Sequence, residues 1–476
     1  MSRQTVAVVG GGCSGVLAAR ELLRMPGVQV LIIDPGEVGG GVAYGAARPW
    51  HLLNSRAGAM SAEPEDRGHF ARWAGVGPQE FVPRPVYARY LRSVLTEAFA
   101  VHPDRLRVIK GRAVTVRAAT RAAAGDSGDV VVSFPTVDRM AGVALGGVVP
   151  VDGDGGRVGV VLADGRVIWA DHVVLAVGNP AGGHPSSVPT EVREHRAYVG
   201  DPWRDGALEA LPKDRPVLLI GTGLTAVDVA LTLTSGERTA PVVAVSRRGL
   251  LPLTHTVTAA PPRRPALDDC ASLREVIRVV REAAGEAGDW RAIVDGLRPD
   301  LDQLWGALTP AEQDAFLRHL ARPWECHRHR MAPAVASRVA WLRTQGLLRI
   351  RAGGLRTVTP AEDGGLVAGL ASGPLAVGGI VNCAGPGLLP AAGGPLITRL
   401  LTDGVARVGP HGLGLDIDHF GRLVGADART QEGVWVLGPL RRGARWETTA
   451  VPEIRDQARR LAHDIAAQAA APAVAA

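Results

Sequence analysis

Thr5-Val6-Ala7-Val8-Val9-Gly10-Gly11-Gly12-Cys13-Ser14-Gly15 is a run rich in β-branched residues that breaks into a glycine cluster. The following VLAARELLRM (16–25) repeats its apolar positions at helical spacing, and Val28–Ile33 is a second β-rich run closing on Asp34. Strand, glycine turn, helix, strand and acid, in that order, is the context in which the G-x-G-x-x-G spacing acquires physical meaning. Gly10 permits the tight turn, Gly12 lets the backbone approach a pyrophosphate, and Gly15 lets the helix pack closely. The positive end of the helix then faces the phosphates. Asp34 stands where a carboxylate accepts the hydroxyl hydrogens of an adenosine ribose without a 2′-phosphate, so the unit predicts a site for FAD or NAD. A glycine turn that holds nothing is the alternative, and the terminal acid argues against it.

A comparable unit returns at Val217–Ile220, followed by Gly221-Thr222-Gly223-Leu224-Thr225-Ala226, a helical VDVALTLTS, and a strand at Val242–Ser246. Here the second strand ends in Ser246-Arg247-Arg248-Gly249 instead of an acid. Guanidinium groups grip a 2′-phosphate through bidentate hydrogen bonds that an acid would repel, which predicts NADPH over NADH. Two solvated arginines at a strand end are the plainer reading. The two units lie too far apart for one doubly wound sheet. The expected fold class is therefore α/β, with two Rossmann-like dinucleotide-binding domains and a helical insertion.

Two further apolar runs, Val173–Val177 and Gly379–Cys383, end in LAVGNP (175–180) and NCAGP (382–386), as if each closes one domain. Asp268–Leu320 is rich in helix formers. The resulting organisation is a first part of the FAD domain at 1–205, an NAD(P)H domain at 206–385 with an insertion at 260–332, and the remainder of the FAD domain at 386–476. Residues 119–165 read as loose hairpins excursing from the first domain, and the segment after Ala471 as a frayed tail.

The 476 residues predict two to four packed units at roughly 100 to 200 residues each. Hydrophobic residues at 46% against 21% charged place the chain among folding sequences. Its net charge of +6 comes without a block of like charges, which argues against nucleic acid. Cys13, Cys270, Cys326 and Cys383 are widely separated, which excludes a disulfide scaffold, a structural zinc site and a C-x-x-C redox pair. No apolar run approaches the roughly 18 residues of a membrane helix, and the amino terminus enters a strand at once. These features predict a cytoplasmic protein without a membrane partner.

Near the C-terminus, Val434–Leu437 reads as a buried strand ending at Gly438-Pro439. Thr448 or Thr449 can cap the next helix, with Pro452 in its first turn. Such a helix start beside a nucleotide domain suits the pyrimidine edge of a flavin. Arg441, Arg442 and Arg445 crowd before Trp446 and Glu447, and three close cations call for a neighbouring anion. Trp324-Glu325-Cys326-His327-Arg328-His329-Arg330 lacks the second ligand pair that zinc needs, so no metal is expected; a basic rim or a solvated loop fits better.

With these residues in view, the chain resembles the FAD/NAD(P)-binding flavoproteins with two dinucleotide domains. It is nearest their urate-hydroxylase-like group and distantly similar to class B flavin monooxygenases and aspartate N-hydroxylases. The blocks that carry the resemblance are GGGCSG (10–15), HLLNSRAGAMSAEP (51–64), FVPRPVYARYL (81–91), GTGLTAVDVAL (221–231), SRRGLLPLTH (246–255), WECHRHRMAP (324–333) and GPLRRGARWETTAVPEIR (438–455). The resemblance implies that Gly10, Gly12, Ser14, Gly15 and Asp34 hold the FAD adenosine diphosphate, that Leu53 and Asn54 lie against the flavin, and that Gly438, Thr448 and Thr449 reach its pyrimidine side. It extends the cofactor-contacting set to Met60, Arg84, Val114, Gly178 and Gly385, and assigns Gly221, Gly223, Leu224, Thr225, Arg247 and Arg248 to NADPH. Gly438-Pro439 departs from the Gly-Asp that many such proteins use on the ribitol.

The expected activity is an NADPH-dependent flavin monooxygenase, in which hydride reaches the flavin and a C4a-hydroperoxide delivers oxygen from O2 to a small polar, anionic molecule. Asn54, Trp446 and Glu447 are the candidate catalytic residues. The competing expectations are an NAD(P)H oxidoreductase or oxidase without oxygen insertion and a non-catalytic redox sensor.

Overall fold

The computed structural model describes residues 3–118 and 158–470. The first stretch supplies β1 (Gln4–Val9), α1 (Cys13–Arg24), β2 (Val28–Asp34), α2 (His69–Ala74), α3 (Arg84–Val101), β3 (Leu106–Lys110) and β4 (Ala113–Ala118). Then come β5 (Val158–Leu162), β6 (Val167–Ala170), β7 (His172–Leu175) and α4 (Thr190–Arg193). The middle of the chain forms β8 (Tyr198–Val199), β9 (Val217–Ile220), α5 (Leu224–Leu233) and β10 (Val242–Val245). Five helices follow: α6 (Leu273–Glu286), α7 (Trp290–Gly296), α8 (Leu301–Ala307), α9 (Pro310–His319) and α10 (Ala321–Arg328). After α11 (Pro333–Thr344) the chain runs through β11 (Leu348–Arg351), β12 (Leu355–Pro360), β13 (Leu366–Leu370), β14 (Gly373–Val377) and β15 (Gly379–Asn382). It closes with α12 (Gly394–Thr402), β16 (Arg422–Val424), β17 (Thr430–Val436) and α13 (Val451–Ala470).

The two larger sheets are ordered β16-β17-β7-β1-β2-β3 and β11-β10-β9-β15-β8, and two three-stranded antiparallel sheets, β4-β5-β6 and β12-β13-β14, accompany them. Within the two larger sheets all pairs are parallel except β16 with β17. Parallel strands covered on both faces read as continuous apolar runs, and this is why VAVV and VLII lack alternation. Val8 and Ile32, register partners in the first sheet, are both fully buried. On one face, Leu17, Leu22 and Leu23 of α1 join Ala458, Leu461 and Ile465 of α13 in one core. On the other, Val9 and Ile33 pack with Val160 of β5 and Leu400 of α12.

The closing runs at 173–177 and 379–383 are β7 and β15, each hydrogen-bonded beside the first strand of its own sheet. Tyr198–Val199 pairs with β15, so the second sheet draws in chain upstream of residue 206. Most of the 119–165 excursion lies outside the described residues, as does the tail after Ala471. The excursion's shoulders Ala118 and Val158 are antiparallel partners in the meander β4-β5-β6. No described helix is long and apolar enough to cross a membrane.

Candidate functional site

The first glycine turn is fixed by two backbone constraints. Gly10 has φ +107°, and a Cβ there would sit 2.5 Å from the Ala176 carbonyl oxygen, while a Cβ at Gly15 would collide with the Gly10 carbonyl. Gly12 is different: its Cβ would meet only Gly41 Cα at 3.6 Å, ordinary contact. The protein thus leaves room at Gly12 for something else. Gly12 caps α1 without a side-chain hydrogen bond, and no acid stands in the first turn. The turn therefore offers open amide donors and a favourable dipole to an anion, a fit for the pyrophosphate of a dinucleotide. Asp34 accepts the Gly11 N–H at 2.6 Å and the Gly36 N–H at 2.7 Å. A carboxylate has about four acceptor sites, so capacity for a ribose diol remains.

The C-terminal segment comes back to this turn because β17 adds beside β7, with Val434 opposite Val173. Gly438 follows at φ +76°, and a Cβ there would stand 2.6 Å from Ser14 Oγ. Thr448 does not cap the terminal helix as its position suggested. Its hydroxyl donates to the Gly438 carbonyl at 2.7 Å and accepts from Gln457 Nε2 at 3.0 Å, while Gln457 Oε1 takes the Gly438 N–H. The helix starts later, with Ile454 N–H bonding the Ala450 carbonyl. Leu53 and Met60 are buried in the core beneath the turn, and Val114 lies on β4. Gly178, at φ +81°, and Gly385 both have open space where a Cβ would be.

The second turn repeats the geometry. Gly221 has φ +119°, its Cβ would lie 2.5 Å from the Cys383 carbonyl oxygen, and Gly223 caps α5 without a side-chain bond. Leu224 and Thr225 open that helix. Beyond β10, Ser246 Oγ bonds Thr222 Oγ1 at 2.9 Å and accepts the Gly249 N–H at 3.0 Å, which sets the exposed Arg247 and Arg248 at the strand end. Arg248 Nη1 donates to the His319 carbonyl at 3.2 Å.

The 51–55 block and Arg84 form the joint between the two sheets. Arg84 pairs with Asp228 of α5 at 2.7 Å and donates through Nε to the Leu52 carbonyl. Burial raises the Asp228 carboxyl to about 6 against the pull of Arg84. His51 Nδ1 accepts the Arg48 N–H, so its proton sits on Nε2, which lies 2.8 Å from Thr232 Oγ1 and 3.1 Å from the Asp228 carbonyl. Burial, then the Arg84 charge, holds this imidazole down to about 4. The Asn54 carbonyl accepts from His255 Nε2 at 3.0 Å, which anchors the candidate catalytic loop to the second half of the chain.

Trp446 and Glu447 face the inserted helices. The Trp446 ring lies 4.8 Å from that of Trp305 and 4.9 Å from Phe316. Asp302 Oδ1 receives the Trp446 N–H at 3.2 Å and the Glu447 N–H at 3.4 Å. The three arginines before them take different partners: Arg441 is buried and donates to the Val436 carbonyl, Arg442 pairs with Glu325 at 3.1 Å and lies over Trp446, and half-buried Arg445 reaches the His419 carbonyl. The 324–330 block is half-buried instead of a solvated loop, helical through Arg328, with Arg328 on Glu447 and Arg330 on Asp295. Trp324, Glu325, His329, Arg442, Trp446, Glu447 and Thr449 line one small cleft. His329 is held down to about 3 by burial and then by Arg328. Among the described residues no group of acids, histidines and cysteines could hold a metal. Asp302, Trp305 and Arg322 escaped sequence reasoning because each is a lone polar or aromatic residue on a helix with no motif around it, and Asp228 because the glycine motif that contains it says nothing of its partner Arg84.

Residues 7–137 match the FAD-NAD(P)-binding family model. No curated protein matches the chain. Among solved structures, the FAD-bound cadaverine monooxygenase of Erwinia amylovora is 13% identical, with a TM-score of 0.64, over 99% of this chain and 96% of that one. The reduced ornithine hydroxylase of Pseudomonas aeruginosa is 13% identical, with a TM-score of 0.62, over 98% and 100%. The ornithine N-hydroxylase of Kutzneria sp. 744, with reduced FAD, NADP+ and L-ornithine, gives 13% identity and 0.61 over 98% and 100%. At these identities the likeness shows a shared fold: two Rossmann-like domains of the kind that carry FAD and NADPH.

Proposed function

We propose that the chain is an FAD-dependent, NADPH-using monooxygenase acting on a small polar molecule. The observation that carries the reading is the pairing of two similarly built glycine turns with opposite strand ends, Asp34 in one sheet and Arg247-Arg248 in the other. Two dinucleotide sites of different preference in one chain suit a bound flavin and an exchanging nicotinamide nucleotide. The bound FAD would supply two-electron transfer from NADPH and reaction with oxygen. The α1 amides and Gly12 would hold its pyrophosphate, Asp34 its adenosine ribose, and Gly438, fixed by Thr448 and Gln457, would close the site from the C-terminal side. Arg247 and Arg248 would select the 2′-phosphate.

The residues beside the cleft would position substrate and exclude water. Arg441 is buried on the Val436 carbonyl and Arg442 is paired with the Glu325 carboxylate, whereas Arg445 donates a long hydrogen bond to the His419 carbonyl, so it is the cation of the three we assign to an anionic substrate. Asn54, Trp446 and Glu447 stand as candidate catalytic residues within this reading. The neighbours' printed activities, N-hydroxylation of ornithine and monooxygenation of cadaverine, support oxygen insertion over simple reduction.

The test is to supply purified protein with NADPH, ¹⁸O2 and candidate polar substrates, then to measure label in the organic product and peroxide released. Label in a product establishes the monooxygenase. Complete diversion of electrons to peroxide with every candidate would establish the oxidase reading in its place.

A further inference from the structure

The inserted helices carry an arginine onto the second glycine turn. Arg322 stands at the start of α10, and its Nη2 donates to the Leu250 carbonyl at 2.7 Å and to the Thr222 carbonyl at 3.1 Å, the latter inside the turn itself. These two carbonyls hold the guanidinium plane in place. Its other terminal nitrogen, Nη1, is 3.7 Å from the position a Cβ would take on Gly223, the residue that caps α5. Its nearest acid, Glu325, is 3.8 Å away and also pairs with Arg442 at 3.1 Å, so the cation is only loosely neutralised.

We propose that Arg322 grips the diphosphate of the dinucleotide at the second turn, a role separate from that of Arg247 and Arg248 at the 2′-phosphate. The proposal rests on the reading of that turn as the NADPH site. A phosphate seated on the α5 amides at Gly223 lies beside the Nη1 face, where a fixed guanidinium adds charge-assisted hydrogen bonds to the helix-end amides. The guanidinium is prepositioned by backbone acceptors, so little side-chain entropy is lost on binding. Both NADP+ and NAD+ carry the diphosphate, so Arg322 acts on both, whereas the strand-end arginines discriminate between them. The same short helix holds Glu325 and Arg328 against the C-terminal segment, which places the diphosphate contact and the cleft on one rigid element.

The experiment titrates the oxidised holoenzyme by calorimetry with NADP+, NAD+ and adenosine 2′-monophosphate, which lacks the diphosphate. Arg322→Ala is expected to weaken NADP+ and NAD+ by the same factor, at least about tenfold. It should leave adenosine 2′-monophosphate unchanged, and Arg322→Lys should recover part of the loss through its charge. Unchanged NADP+ affinity in Arg322→Ala would overturn the proposal, and so would equal weakening of adenosine 2′-monophosphate, the mark of a turn that has merely collapsed. Gly223→Val separates the two levels of the argument. If that variant binds NADP+ as the parent does, the dinucleotide is not at this turn and the underlying reading fails with the proposal.

Discussion

Arg328 and Glu447, 119 residues apart in the chain, form an ion pair at 2.8 Å with side chains only 7% and 5% exposed. The pair ties the last inserted helix to the segment that returns to the first glycine turn. Removing one partner of a buried pair strands the other charge, at a cost of about 3 to 5 kcal/mol. Glu447→Ala should therefore lower stability by that order in denaturant unfolding, while Arg328→Met combined with Glu447→Leu should recover much of the loss. A single variant as stable as the parent would show that the pair contributes nothing net.

The glycines of the first turn should separate folding from cofactor binding. Gly15→Ala drives a Cβ into the Gly10 carbonyl and should give poorly folded protein. Gly12→Val meets only ordinary contact at Cβ and should fold, yet purify with little or no flavin because the added group fills the pyrophosphate approach. Visible absorbance and the thermal midpoint read the two outcomes separately. Full flavin content in Gly12→Val would remove FAD from this turn.

Nucleotide preference should follow the strand end at Ser246. Replacing Arg247 and Arg248 together by Ala should raise KM for NADPH by about tenfold or more, the loss of a charge-assisted hydrogen bond worth about 1.5 to 3 kcal/mol. KM for NADH should stay within about twofold. Equal losses for both nucleotides would assign these arginines to the fold.

Arg445→Ala should raise KM for an anionic substrate with flavin content unchanged, because the half-buried guanidinium donates to the His419 carbonyl at 3.3 Å and is not part of either glycine turn. Stimulation of NADPH oxidation by neutral, apolar compounds alone would refute an anionic substrate.

Acid should weaken the protein in a defined window. His51, His255 and His329 are held to about 4, 4 and 3 in the folded state, in each case chiefly by burial, against an ordinary 6.5. Between pH 6.5 and about 4 the unfolded chain binds protons that the native state refuses, so these groups lose stability as pH falls and regain it as pH rises. Asp228, raised from 3.8 to about 6, works the other way: the native state holds the extra proton, and its contribution declines as pH rises through that interval. With His102, His172 and His184 also held below the ordinary value and Asp302 raised beside Asp228, the lowered histidines outnumber the raised acids among the described residues, so the thermal midpoint should climb from pH 4.5 to 6.5, with a shallower slope in His255→Gln. A midpoint that climbs on acidification would contradict the assignment.

The two glycine turns and the strands that build them are written in the order of the residues alone. The reason is local: a strand-to-helix turn needs glycine where φ is positive or the backbone is crowded, as at Gly10, Gly15 and Gly221, and buried parallel strands need unbroken apolar runs. Asp34 and the Arg247-Arg248 pair were legible for the same reason, since strand ends lie at fixed offsets from those turns. What surrounds the turns came from the folded chain. Thr448 stands where a helix cap would, but Gly438 and Gln457, 10 and 9 residues away, claim its hydroxyl once the C-terminal segment folds back on the start of its helix. Arg84 and His51 meet α5 of the other sheet, Trp446 meets Trp305, and Arg322 meets the Thr222 carbonyl, 100 residues away. Those partners are set by how two sheets and an insertion pack. Packing leaves no periodicity or spacing along the chain from which such pairings can be read.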